Sequence, residues 1–241
     1  FRFSEGAWQL GTRGPISLRI AEVVNQVTVK NIAADLQGAY PWSEDNPLLL
    51  SDVSAELLGG KVIMQQLRMP QHDPALLRVQ NISSSELISA VNPKQFAMSG
   101  PVSGALPLWL DNEKWIIKDG WLTNPGPMTL RIDKDTADAI VNDNMVAGAA
   151  INWLRYMEIS RSWTRINLDN LGELTMQATI KGTSRVDGKS SSVNLNYTHD
   201  ENVFTLWRSL RFGDNLQTWF EQHAAIPAPR SLTGKESEDQ Q

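Results

Sequence analysis

The sequence predicts a mainly β chain with a few helices: a strongly curved, open β-groove (taco-like) sheet with a helical insertion and a C-terminal helix pair. Three observations predict it. Apolar and polar residues alternate with a period of two in several short windows, as half-buried strands require. Turn residues separate those windows at short intervals. Elsewhere the pattern changes to the 3.6-residue period of an amphipathic helix.

The strands come in order along the chain. Val27 and Val29 alternate with Thr28 and Lys30. Leu106, Leu108 and Leu110 alternate with Ala105, Pro107 and Trp109, and Pro107 implies an edge position or a bulge. Met128, Leu130 and Ile132 alternate with Thr129 and Arg131. The clearest alternation comes late, with Leu174, Met176, Ala178 and Ile180 against Thr175, Gln177, Thr179 and Lys181. Val193, Leu195 and Tyr197 then stand against Ser192, Asn194, Asn196 and Thr198. One apolar and one polar face per strand fits an antiparallel sheet, not a parallel sheet buried on both sides. Expected turns fall at Gly59-Gly60, Pro70, Asn92-Pro93, Gly100-Pro101, Asp119-Gly120, Asn124-Pro125-Gly126 and Gly182.

Four helical stretches interrupt the strands. Ser83 and Glu86 form a capping box opening a short helix that must end before Pro93. A longer helix is expected over about 136–157, with Val146, Ala150, Trp153, Leu154 and Met157 on one face. Val203, Leu206, Trp207 and Leu210 make a third stripe, stopped by Gly213. Asp214 caps a fourth, with Leu216, Trp219, Phe220 and His223 on its stripe. Residues 227–241 lack periodicity and read as a disordered tail, so residues 1–226 form a single expected domain.

Composition narrows the function. The net charge is −5 and basic residues are scattered singly, which argues against nucleic acid and against a polybasic headgroup patch. Without cysteine there are no disulfides, thiolate metal sites or Cys nucleophiles. His72, His199 and His223 stand far apart in sequence, in no metal-ligand spacing. Asp133, Asp135 and Asp138, and the pair Asp200-Glu201, precede expected helices, where capping explains them better than acid–base chemistry. No nucleophile, base and oxyanion donor assemble, so neither an enzyme nor a cofactor is implied. The nine Trp are read mainly as partly buried core residues. No window approaches 18 apolar residues, and the chain opens at Phe1 inside ordered-looking sequence. It reads as a fragment whose membrane anchor lies upstream.

Several segments carry a resemblance. Leu57-Leu-Gly-Gly-Lys-Val-Ile-Met64 and Pro74-Ala-Leu-Leu-Arg-Val-Gln-Asn-Ile82 are similar in style to AsmA-like repeats. Asn92-Pro-Lys-Gln-Phe-Ala-Met-Ser-Gly-Pro-Val-Ser-Gly-Ala-Leu-Pro-Leu-Trp109, followed by Trp115-Ile-Ile-Lys-Asp-Gly-Trp-Leu122, resembles the YdbH type of that family. The stretch from Asp143 to Trp163 and the block Leu206-Trp-Arg-Ser-Leu-Arg-Phe-Gly-Asp-Asn-Leu216 are more specific still. Together they cover roughly residues 51–222.

The resemblance implies the C-terminal part of a long protein anchored upstream in the inner membrane, with its β-groove crossing the periplasm towards the outer membrane. It also implies phospholipid as cargo and a small outer-membrane lipoprotein of the YnbE type as partner at this end. The expected lipid-groove residues are Val27, Val29, Val62, Met64, Leu106, Leu108, Leu130 and Ile132, followed by Ile166, Leu168, Leu174, Met176, Ile180, Val193 and Leu195. Each acyl CH₂ buried on such a face is worth about 0.8 kcal/mol. Ser192, Asn194 and Asn196 mark the expected partner edge, because the last strand carries no Pro to block pairing; the alternative is that the C-terminal helix pair covers this edge and no partner docks there. On alternation alone the closed core of an ordinary sandwich is the favoured reading of the same apolar faces, since alternation usually marks a packed core. Two further readings stay open: an assembly module for outer-membrane biogenesis that carries no lipid, and a carbohydrate-binding β-sandwich built on exposed Trp.

Overall fold

In the computed structural model, residues 2–4, 7–24, 27–91, 96–132, 156–186 and 189–204 are described. They are almost all strand. In chain order the elements are β1 (Arg2–Ser4), β2 (Ala7–Gly11), β3 (Ile16–Val24), β4 (Thr28–Gln37), β5 (Ala39–Tyr40), β6 (Leu48–Leu57), β7 (Gly60–Met69) and β8 (Ala75–Ser83). Helix α1 (Ser84–Val91) is followed by β9 (Phe96–Ser99), β10 (Pro101–Leu108), β11 (Trp115–Thr123), β12 (Met128–Ile132), β13 (Tyr156–Asp169), β14 (Glu173–Val186) and β15 (Lys189–Asn202).

Strands β1, β2 and β5 make a small sheet. The others form one twelve-stranded sheet in the order β15-β14-β13-β11-β10-β8-β7-β6-β4-β3, with β12 on β13 and β9 on β12. Among the described residues β3 and β15 end this order and do not pair with each other, so the sheet is open. The sequence expectation of a mainly β chain with an open sheet holds. All pairings are antiparallel, as the short hairpin connections of β3–β4, β6–β7, β7–β8, β10–β11, β13–β14 and β14–β15 require.

Local chemistry explains several elements. Ser83 Oγ accepts the Glu86 N–H at 3.3 Å, capping α1, which ends two residues before Pro93. Leu58 and Gly59, both at positive φ, make the two-residue turn between β6 and β7. Four strand residues hold left-handed conformations: Asn31, Asp52, Asn81 and Asp119. Asn and Asp tolerate that region best. At each, the side-chain phase of the strand reverses, as a bulge requires. The freed N–H of Asn81 is taken by Ser103 Oγ at 2.9 Å, and that of Asp119 by Asn167 Oδ1 at 2.8 Å.

Several sequence expectations change. Pro107 sits inside the sheet, and the bulge alternative applies, since the β10–β11 register shifts between Ala105 and Leu108. Asp119-Gly120 lies within β11 and Gly182 within β14, so neither is a turn between strands. Tyr156 and Met157 belong to β13 and not to a helix. Asp200 and Glu201 lie in β15, which runs past the expected end at Tyr197. Val146, Ala150, Trp153 and Leu154, the stripes beyond Phe204, and the tail over 227–241 lie outside the described residues.

Candidate functional site

Register decides which side chains share a face, because directly opposite residues of an antiparallel pair point the same way. On β14 and β15, Ile180 faces Leu195 and Gly182 faces Val193. On β13, Leu168 stands opposite Leu174 and Ile166 opposite Met176. The same side continues through Ile117 opposite Leu168, and through Leu108 opposite Ile117. Leu106 meets Leu77 and Leu108 meets Ala75. Leu77 then lies against Met64 and Val79 against Val62. Val53, Ala55 and Leu57 of β6 carry the face on to Val29, and Val29 meets Val23 of β3. Leu130 joins from β12, opposite Met157.

One side of the sheet is thus mainly apolar from β3 to β15, interrupted at the β15 edge, where Glu201 stands opposite Leu174 and His199 opposite Met176. Among the groove residues expected from sequence, Val27 stands in a bend just before β4, outside the ladder. Ile132 ends β12, its backbone paired with Phe96. The other thirteen share the apolar face. The sequence reading missed β3, although Ile16, Leu18 and Ile20 alternate there with Ser17 and Arg19. It also missed Ile159, because Met157 had been placed on a helix.

The face is packed in two patches and open between and beyond them. Met64, Leu67, Met69 and Ala75 are buried together, with Leu48, Leu50, Val53, Leu77 and Leu108 against them. Met128, Met157, Ile159 and Val193 form the second patch, joined by Leu130 and Ile180. Leu174, Met176 and Leu195 are only half-buried. At the far end Ile16 is 56% exposed, Leu18 50% and Val23 46%, so no second layer covers β3 among the described residues.

The opposite face is polar. Ser192, Asn194 and Asn196 lie on it, opposite Thr183, Lys181 and Thr179, and Thr179 Oγ1 is 3.0 Å from Asn196 Oδ1. Among the described residues two carboxyls are held below their ordinary values, both away from the apolar face. The Ser17 hydroxyl and then Arg19 hold Asp35 down, with Arg19 Nη2 3.0 Å from Asp35 Oδ1. His72, with Nε2 2.8 Å from Glu44 Oε1, and then Arg68 do the same for Glu44. A cavity of about 620 Å³ lies beside the β6–β7 turn and is lined by Glu22, Lys30, Glu56, Lys61 and Glu86. Its walls are charged, so it does not suit acyl chains. Among the described residues no three His, Cys, Asp or Glu gather as metal ligands.

A largely apolar face crossing ten strands, with Glu201 opposite Leu174 at its β15 edge, can take apolar chains by burial alone, without any directed polar contact. Residues 1–225 match the YdbH-like family, described as "Intermembrane phospholipid transport protein YdbH". The chain belongs to the YdbH-like family. The YdbH-like match begins at residue 1, so it takes in β3 and β4, ahead of the motifs recognisable in sequence. A curated relative in Escherichia coli (strain K12), "Probable phospholipid transport protein YdbH", is 76% identical over 241 residues. That alignment covers 100% of this chain and 27% of the relative, so the chain spans little more than a quarter of the relative's length. No solved structure matches the chain.

Proposed function

We propose that this chain is a lipid-conduit segment that carries phospholipid acyl chains along the apolar face of its sheet. The observation that supports this reading is the continuity of that face from β3 to β15 with side chains left half-buried or exposed along it. A closed sandwich core would bury Leu18, Val23 and Leu174 against a second layer. An acyl chain laid across the face gains about 0.8 kcal/mol for each CH₂ removed from water. A dozen carbons therefore offset most of the cost of leaving a bilayer. The polar face meets solvent, and no chemical step is involved.

In the same reading, residues 1–226 act as one groove-building unit in the periplasmic part of an inner-membrane-anchored protein, near the outer membrane. The strand order ends at β15, and a strand of a small outer-membrane lipoprotein of the YnbE type adds there by β-augmentation, along Ser192, Asn194 and Asn196. Proline at Asn194 or Asn196 removes a ladder donor. If both variants fold and still co-purify with the lipoprotein, the docking edge is elsewhere.

The cargo is tested separately, by placing a photo-crosslinking amino acid at single sites in cells. At Met176 or Leu195 it should capture phospholipid; at Gln177 or Asn194, on the polar face, it should not. Equal labelling of both faces, or none, would sink the conduit reading.

A further inference from the structure

The polar face carries a surface that lipid carriage does not use. Trp121 of β11 and Trp163 of β13 stack with centroids 5.0 Å and planes 11° apart. Trp121 lies opposite Ala105 and Arg165, and Trp163 opposite Thr123 and Thr179, which puts the indole pair on the side away from the apolar face. Trp163 is nevertheless 49% exposed. Trp is enriched at contact surfaces, where its apolar body and polar N–H meet a partner and water together.

The charges around it point the same way. Arg161 stands directly opposite Lys181, a like-charge cross-strand pair that destabilises a sheet. Arg78, next to Ala105 in register, and Arg165 add two more exposed cations. Among the described residues Arg19, Lys30, Arg68 and His72 have carboxylate partners, whereas Arg78, Arg161, Arg165 and Lys181 have none. The neighbouring positions Thr123, Gln177, Thr179, Asn196 and Thr198 are neutral and polar, and Glu158, opposite Thr183, brings one carboxylate to the end of the patch beside Arg161. A chain of net charge −5 has gathered four unpaired cations around one exposed indole pair.

We infer that this outer patch binds an acidic glycan, a sugar chain bearing carboxylates. A pyranose ring offers a flat C–H face that packs on an indole, and its hydroxyls find the Thr, Asn and Gln side chains alongside. Its carboxylates take the guanidinium groups, which match them in bidentate geometry. An anionic bilayer would satisfy the charges but is gripped by apolar side chains that project into it; here the two indoles lie side by side on a pleated surface. The site stands on the face opposite the proposed trough, so glycan binding and lipid carriage do not compete and can fail independently.

Isothermal titration of the 241-residue chain with an oligogalacturonate at low salt tests it, beside a neutral maltooligosaccharide, phosphatidylglycerol vesicles and a short single-stranded DNA. The acidic oligosaccharide should bind, more weakly as salt rises, with the neutral one at least tenfold weaker. Trp163→Ala and the double variant Arg161→Gln with Arg165→Gln should each weaken it at least tenfold, while Trp163→Phe keeps part of it and Leu18→Ala, on the other face, changes nothing. Thermal unfolding confirms that each variant folds. If Trp163→Ala does not fold, the arginine pair decides. Absence of binding, or binding indifferent to these variants, overturns the inference. So do vesicles or DNA that bind as tightly and lose it through the same substitutions.

Discussion

Gly182 offers a direct test of how β13 and β14 fit together. A Cβ at this position would lie 2.3 Å from the Glu158 carbonyl oxygen and 2.8 Å from Met157 Cε. The methionine end can swing aside. The carbonyl belongs to the β13 backbone and can yield only if the ladder parts. The glycine's conformation is open to any L residue, so Gly182→Ala carries no backbone strain and its cost is steric. Overpacking of this kind costs about 1–3 kcal/mol, and the stiffer unfolded chain returns about 0.4–1 kcal/mol. Because the obstacle is backbone, the upper part of the range applies, leaving a net loss of about 2 kcal/mol. For a chain of this length that lowers the melting temperature by about 4–8 °C, readable by far-UV circular dichroism. Gly14→Ala, with nothing within 4 Å of the new methyl, should melt with the parent or slightly above it. If Gly182→Ala also melts at or above the parent, the pairing of Ile159 with Gly182 is wrong.

Two further substitutions follow from burial and charge. Met157 is fully buried, so Met157→Ala should lose about 2–5 kcal/mol in urea unfolding, whereas Leu18→Ala on the open stretch should change stability by less than about 1 kcal/mol; equal losses would mean that β3 is covered. Glu44 is held below its ordinary value of 4.5 by His72 and Arg68, so the stability it contributes is complete above that pH and lost as pH falls through the lowered folded value. Glu44→Gln should therefore flatten the acid limb of the melting-temperature profile below about pH 4.5, by a small, salt-sensitive amount because the groups are exposed, and an unchanged acid limb would exclude this carboxyl.

Strand alternation was legible wherever the strand is regular. Leu174 to Ile180 and Val193 to Leu195 read directly as two-faced strands, and they pair as such. What the sequence hid was mostly glycine acting within strands. Gly120 and Gly182 look like turn residues, yet Gly182 sits where the β13 backbone comes too close for a side chain, and Gly120 is crowded by the side-chain ends of Ile117 and Leu106. Met157 also fits a helical stripe with Trp153 and Leu154, and only the pairing with Ser184 separates the two periods. Asp200-Glu201 has the composition of a helix cap, but the ladder with β14 continues through it. The apolar face itself was legible strand by strand, whereas its continuity across ten strands depends on register, which a single sequence does not contain. The stacked indoles were hidden for the same reason, since Trp121 and Trp163 are 42 positions apart and meet only through the β11–β13 pairing.

The phase reversals at Asn31, Asp52, Asn81 and Asp119 bear on how such a chain can change over time. A greasy surface that asks for no directed contact accepts Leu, Ile, Val or Met almost interchangeably, so point changes along it are cheap. Length is another matter. Each of the four marks one extra residue in its strand, so losing that residue alone would leave Ile82, or Val53 and Ala55, on the apolar side, whereas deleting a residue elsewhere in a strand would turn the apolar side chains beyond it to the polar side. Variation in this chain should therefore be free in the choice of apolar residue and strict in strand length, with insertions and deletions confined to the hairpin loops and to those four bulge positions.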